Sequence, residues 1–183
     1  MMDRRTVFSD DRRYRYTLWR VWDLFNPNAL MVIGLNPSTA DECRDDPTVR
    51  RCIGFAKTFG FGALCMMNLF AFRATDPKAM KSEIFSPQEA ANDSWLLHCA
   101  DEANEGVTKI VCAWGVHGQW RDRDSAVEKL LSGNDLYCLG LTQAGYPRHP
   151  LYVKGDTKLQ AYRRQKLRFH LEEGVEGKQT WTI

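Results

Sequence analysis

"ALMVIGLNPSTAD", Ala29 to Asp41, is the stretch on which the reading of the fold turns. From Ala29 to Leu35 the residues are almost uninterruptedly apolar. That is the pattern of a strand covered on both faces, not of one with a wet side. The run then meets Gly34-Leu35-Asn36-Pro37-Ser38, and no helical periodicity begins before Asp45. Glycine, asparagine and proline are turn residues, so taken alone this exit is as readable as a plain turn as it is a ligand-holding loop. The other strand ends decide between the two.

Working outward, "DDPTVRRCIGFAKTFG" predicts a helix with Asp46 as N-cap and Pro47 at its first position. "ALCMMNLFAF" is a second buried strand. "SPQEAANDSWLLHCADEAN" predicts a helix capped by Ser86, with Glu89 completing a capping box. "KIVCAWG" is a third strand, "DRDSAVEKLLSG" a helix closed by Gly133, and "DLYCLGLT" a fourth strand. "QAGYPRHPLY" is a loop, and "DTKLQAYRRQKLRFHLEEG" predicts a last, basic helix. Alternating strands and helices predict an α/β fold: three layers, α/β/α, around a central four-stranded, mainly parallel sheet. The 183 residues suit a single domain. Residues 1–28 are an arm packing on it, with part of Tyr14–Leu18 alternating like an edge strand, and residues 156–183 a C-terminal helix and tail.

Charge and composition exclude little and suggest little. Twenty-five basic residues face 23 acidic ones, a net charge of +2, so any basic footprint must come from local arrangement. Six cysteines are scattered with no C-x-x-C pair, which argues against zinc. Cys65, Cys112 and Cys138 sit in apolar runs and read as small hydrophobes. The opening is too polar for a signal peptide and no apolar run approaches a membrane span, so a cytoplasmic protein with reduced thiols, monomeric and without membrane contact, is expected.

Ligands of open α/β sheets bind beyond the carboxyl ends of the strands. Those ends carry Gly34-Leu35-Asn36-Pro37-Ser38, then Asn68 and Arg73, then Trp114-Gly115 with His117 close behind, and finally Thr142 and Arg148-His149-Pro150. The set holds no paired carboxylates, phosphate-binding glycine loop or G-x-S-x-G elbow. Two amides that can donate and accept suit a ligand with mixed hydrogen-bonding edges, such as a nucleobase. Four polar strand ends favour a site over four independent turns. Asp45 and Asp46 read as a helix start, and Trp114 is as readable as core.

In "GLNPSTAD", "DPTVRRC", "NLFAFRATDP", "AWG" and "HPLY" the chain resembles, from about Tyr14 to Val153, a bacterial and phage family, domain of unknown function family 1643. More distantly it resembles the uracil-DNA glycosylase superfamily. Gly34-Leu35-Asn36-Pro37-Ser38 is similar to that superfamily's first motif, Asn68-Leu69-Phe70-Ala71-Phe72-Arg73 to its second, Trp114-Gly115 to its third and His149-Pro150-Leu151 to its last. The resemblance implies a uracil-DNA-glycosylase-like sheet and hydrolysis of an N-glycosidic bond in DNA or a nucleotide. Asn36 would position water and His149 would donate to the leaving base. Gly34, Leu35, Pro37, Ser38, Asn68, Phe70, Arg73, Trp114, Gly115 and Arg148 would contact substrate. Phe55 or Phe70 would stack on the base, and Leu151 or Tyr152 would wedge into a duplex. No metal or redox cofactor is implied. The superfamily's most active branch has aspartate where Asn36 stands, and asparagine cannot take a proton. A non-catalytic module for nucleic acid or a nucleotide, and a phage or host interaction protein, therefore stay open as alternatives.

Overall fold

In the computed structural model, which describes residues 3–82, 87–101 and 106–163, one sheet of seven strands runs through the molecule. The strands are β1 (Asp3–Phe8), β2 (Arg15–Val21), β3 (Ala29–Gly34), β4 (Ala63–Asn68), β5 (Val107–Cys112), β6 (Leu136–Cys138) and β7 (Gln160–Ala161), in spatial order β1-β2-β4-β3-β5-β6-β7. The helices are α1 (Pro47–Thr58), α2 (Pro77–Ser82), α3 (Pro87–Ala100) and α4 (Arg123–Leu130).

The apolar run of the opening stretch becomes β3, buried at all six positions. Side chains alternate across a strand, so its two faces need two covers. Leu30 and Val32, with Leu64 and Met66 of β4, pack with Val49, Cys52 and Phe55 of α1. Met31 and Ile33, with Cys65 and Met67, pack with Leu96 and Cys99 of α3 and Val127 and Leu131 at the end of α4. Helices thus cover both faces, and β3 to β6 are mutually parallel. In β4-β3-β5-β6 the chain steps from β3 to one side, then crosses to β5 on the other. The crevice at the carboxyl ends of β3 and β5 is therefore the topological switch point, where such sheets hold ligands.

Several expectations are corrected. The sheet has seven strands, not four, because both ends of the chain add antiparallel strands: β1 and β2 on one edge, β7 on the other. The strand around Tyr14–Leu18 is not an edge; β2 lies between β1 and β4, and Leu18 is fully buried. The basic C-terminal helix does not start at Asp156, since Gln160 and Ala161 pair with β6; its remainder lies outside the described residues, as does the Ser86 cap. The helix read as closing on Gly133 ends at Leu130, and the helix α2 had no reading in the sequence. Asp46 does cap α1, its Oδ1 accepting from the Val49 N–H at 2.8 Å, with Pro47 in the first turn. All six cysteines are free, and every one but Cys43 is buried. Among the described residues no helix is long and apolar enough to cross a membrane.

Candidate functional site

The acidic loop after β3 is held by arginines of the N-terminal hairpin. Asp45 accepts from Arg20 Nε at 2.7 Å and from Arg4 at 3.1 Å. Glu42 pairs with Arg12 at 2.8 Å. Asp41 turns the chain by accepting from the N–H groups of Cys43 and Arg44, which hold its carboxyl below the usual carboxylate range. Much of the basic charge of the arm is thus spent on this loop.

Held in this way, the loop forms one wall of a cavity of about 830 Å³ at the switch point. The four parallel-strand ends meet in it. Gly34, Leu35, Asn36 and Ser38 come from β3, Asn68 from β4, Trp114, Gly115 and His117 from β5, and Thr142, Arg148, His149 and Tyr152 from the loop after β6. Register explains the convergence: Gly34 pairs with Asn68, and Ile33 with Cys112, so the three strands finish at one level.

Asn36 has a fixed amide. Its Nδ2 donates to the carbonyls of Pro37 at 3.0 Å and Ala74 at 2.8 Å. Both partners are pure acceptors, which assigns the nitrogen and leaves Oδ1 as the acceptor. Asn68 is 3% exposed, and its Nδ2 has no partner. A Cβ on Gly34 would lie 3.0 Å from Asn68 Oδ1, so the glycine makes room for the amide. Trp114 is buried, its Nε1 also without an acceptor, and Gly118 lies against its ring. Gly115 has φ 69°, the left-handed region glycine favours, and its N–H reaches Pro147 O at 2.9 Å. That bond ties the end of β5 to the loop carrying His149.

His149 Nδ1 accepts from the Leu151 N–H at 3.4 Å, which puts the ring proton on Nε2. Burial lowers its pKa below the ordinary histidine value, against the pull of Asp46, so the ring is neutral at pH 7. At the cavity's surroundings Leu151 and Tyr152 are exposed, Tyr152 at 78%.

Five of the residues named from sequence, Pro37, Phe55, Phe70, Arg73 and Leu151, do not line the cavity. Phe70 is core, its ring 5.1 Å from Trp120. Arg73 donates to Arg12 O at 3.1 Å and lies over the Phe8 ring. Pro37 contributes its carbonyl to the Asn36 amide. Phe55, the alternative stacking ring, is in the α1 core. Cys52 is buried there too, and burial pushes its thiol well up, away from nucleophilic thiolate. Among the described residues no group of His, Cys, Asp or Glu is placed to hold a metal ion.

Two charged residues of the cavity were missed as site residues: Arg15 and Asp46. Asp46 was legible as a helix cap. The further signal was that a helix following a parallel strand starts at the same rim where ligands bind. Arg15 gave no signal, being one of five arginines in a polar arm.

A family model described as "Protein of unknown function (DUF1643)" matches residues 15–151, and these carry every strand end that lines the cavity except part of the last loop. Neither the curated proteins nor the solved structures contain a match to the chain.

Proposed function

The chain belongs to the DUF1643 family, and we propose that its cavity takes a nucleobase of a nucleotide or of DNA and hydrolyses the N-glycosidic bond. The observation that carries this reading is the meeting of Asn36, Asn68 and His149 around one cavity, from three separate strand ends. The motif order similar to uracil-DNA glycosylases supports it.

Glycosidic cleavage develops positive charge on the sugar and negative charge on the departing base. Asn36 Oδ1, locked as an acceptor, orients a water toward C1′. The new bond joins water oxygen to C1′, and the C1′–N bond breaks with its electron pair going to the base. His149 Nε2–H donates to the base carbonyl oxygen where that charge collects. The water proton leaves to solvent or to Asp46, the one carboxylate among the described residues that line the cavity. Asn68 meets the hydrogen-bonding edge of the base. The exposed Leu151 and Tyr152 suit a wedge against a duplex from which the base is flipped.

One observation favours a binding-only reading. Asn36 cannot accept a proton, and Asp46 Oδ1 is committed to the α1 cap. The test is incubation with oligonucleotides carrying assorted modified bases, and with free nucleotides, followed by mass spectrometry of released base. Release is expected, with His149→Ala slowing it by about 10²–10³-fold and Asn36→Ala abolishing it. Saturable binding without release would support the binding-only reading, and neither binding nor release would overturn both.

A further inference from the structure

Arg15 is 2% exposed and lines the cavity, yet its guanidinium has one acceptor, Ala40 O, 3.0 Å from Nη1. A guanidinium carries five N–H bonds. Its Nε is sealed from water and unpartnered, and the side chain makes no ion pair within 4 Å. Arg20, five residues along the same strand and equally buried, shows the contrast: its Nε meets Asp45, and both Nη atoms meet carbonyls. The strand is irregular beside Arg15. Val7 pairs with Thr17 and Phe8 with Arg15, so the register skips Tyr16, a bulge of the kind that re-aims a neighbouring side chain.

The buried nitrogen donors of other cavity residues are in the same condition. Asn68 Nδ2 and Trp114 Nε1 lack acceptors, and with Arg15 Nε they make up every orphaned buried side-chain nitrogen among the described residues. All three belong to residues that line this one cavity. Asp46 is the cavity's carboxylate, and it lies too far from Arg15 to pair with it. Burial pulls Arg15 down to about 10, against the more distant pull of Asp46 and Asp41. It stays charged at neutral pH, and a buried charge without a partner is unfavourable unless something else supplies one.

We propose that Arg15 is the floor of an oxyanion subsite, and that the natural ligand of the cavity carries a carboxylate or phosphoryl group that reaches the guanidinium at its Nη atoms. The planar fork matches both groups. The unpartnered nitrogens of Asn68 and Trp114 belong to the same wall but are sealed from solvent, so Arg15 supplies the donors that an oxygen of the ligand reaches. The inference rests on the cavity and not on the nucleobase reading. Probes without a base separate the failure of one from the failure of the other.

The experiment measures the melting temperature of the full chain against inorganic phosphate, acetate and chloride at matched ionic strength. Deoxyuridine and its 5′-monophosphate form a second pair. A saturable rise with phosphate or acetate, absent with chloride, is expected, and whichever of the two acts names the group. If only the nucleotide pair acts, the monophosphate must bind at least tenfold more tightly than the nucleoside. Arg15→Met should fold with a melting temperature equal to or above wild type, because it removes an uncompensated buried charge, and should lose the oxyanion response. Arg15→Lys keeps the charge without the fork and should bind at least tenfold more weakly. No saturable response to any oxyanion overturns the proposal, as does an unchanged response in Arg15→Met. Should Arg15→Met fail to fold, an unchanged affinity in Arg15→Lys overturns it.

Discussion

Asp45→Ala tests whether burial, and not the number of ion pairs, decides how the acidic loop is held. Asp45 serves two arginines. Arg4 is partly exposed, but Arg20 is 0% exposed and reaches the carboxylate through Nε at 2.7 Å. Removing the carboxylate leaves the bonds from Arg20 to Trp19 O and Asp41 O in place, but strips its charge of the counter-ion. Breaking a buried pair from one side costs about 3–5 kcal/mol. Asp45 is itself 12% exposed, so water can reach the vacated position, and the low end, about 3 kcal/mol, is the better figure. For a chain of this length that is a fall of about 6–12 °C in Tm. The control is Arg12→Ala, which breaks an ion pair to the same loop between side chains that are 51% and 43% exposed. Solvent screens that pair, and its loss should leave Tm unchanged within error. Thermal unfolding followed by circular dichroism, with urea titration at fixed temperature, reads both. Equal losses in the two variants, or a loss below about 1 kcal/mol in Asp45→Ala, would refute the reasoning, since a buried uncompensated charge must cost more.

Two further outcomes follow from the cavity walls. In Gly118→Ala the new Cβ would sit 2.2 Å from Trp114 Cδ1, so the indole must move; a loss of about 1–3 kcal/mol and a shifted tryptophan fluorescence maximum are expected, and an unperturbed spectrum would show that the wall is soft. His149 should titrate by NMR with a midpoint below 6.5. The sign is fixed by its lowered pKa: the unfolded chain binds the proton more readily, so this residue's contribution to stability is complete above pH 6.5 and is lost as pH falls from there through the folded-state value. A midpoint above 6.5 would contradict the burial that lowers it.

The central layers were legible because periodicity carries them. An apolar run buried on both faces implies a parallel strand, and Asp46-Pro47 announces a helix start; β3, β4 and α1 lie where those signals put them. The outer strands were not legible, for a physical reason. Arg15, Arg20 and Thr17 are buried by partners distant in sequence, such as Asp45 and the Ala40 carbonyl, so a strand full of arginine reads as a surface arm until those partners are known. Strand β7 is two residues long and has no period at all. Asn36, Asn68, Trp114 and His149 were singled out by their place after strands, and all four line the cavity. Phe70 and Arg73 do not line it, because β4 ends at Asn68, four residues before the apolar run does. Beyond that point Leu69 and Phe70 still donate to the carbonyls of Gly34 and Leu35, while Asn92 and Arg123 donate to the carbonyls of Asn68 and Leu69.

The distribution of satisfied and unsatisfied groups separates scaffold from site. Around the loop that follows β3, backbone carbonyls are answered: Pro37 and Ala74 by Asn36, Ala40 by Arg15, Asp41 by Arg20. The loop therefore keeps one conformation without help from a ligand, and Asn36 presents its Oδ1 in a fixed place. Among the described residues, the buried side-chain nitrogens without an acceptor are those of Arg15, Asn68 and Trp114, and all three residues line the cavity. A fold under selection for stability alone would replace such donors with apolar side chains, at little cost or some gain. Their clustering at the switch point of the sheet is what a preorganised receptor for an acceptor-rich ligand requires. The same clustering predicts that the ligand-free Arg15→Met protein is no less stable than wild type while losing its ligand, since the uncompensated charge removed offsets the bond lost to Ala40 O.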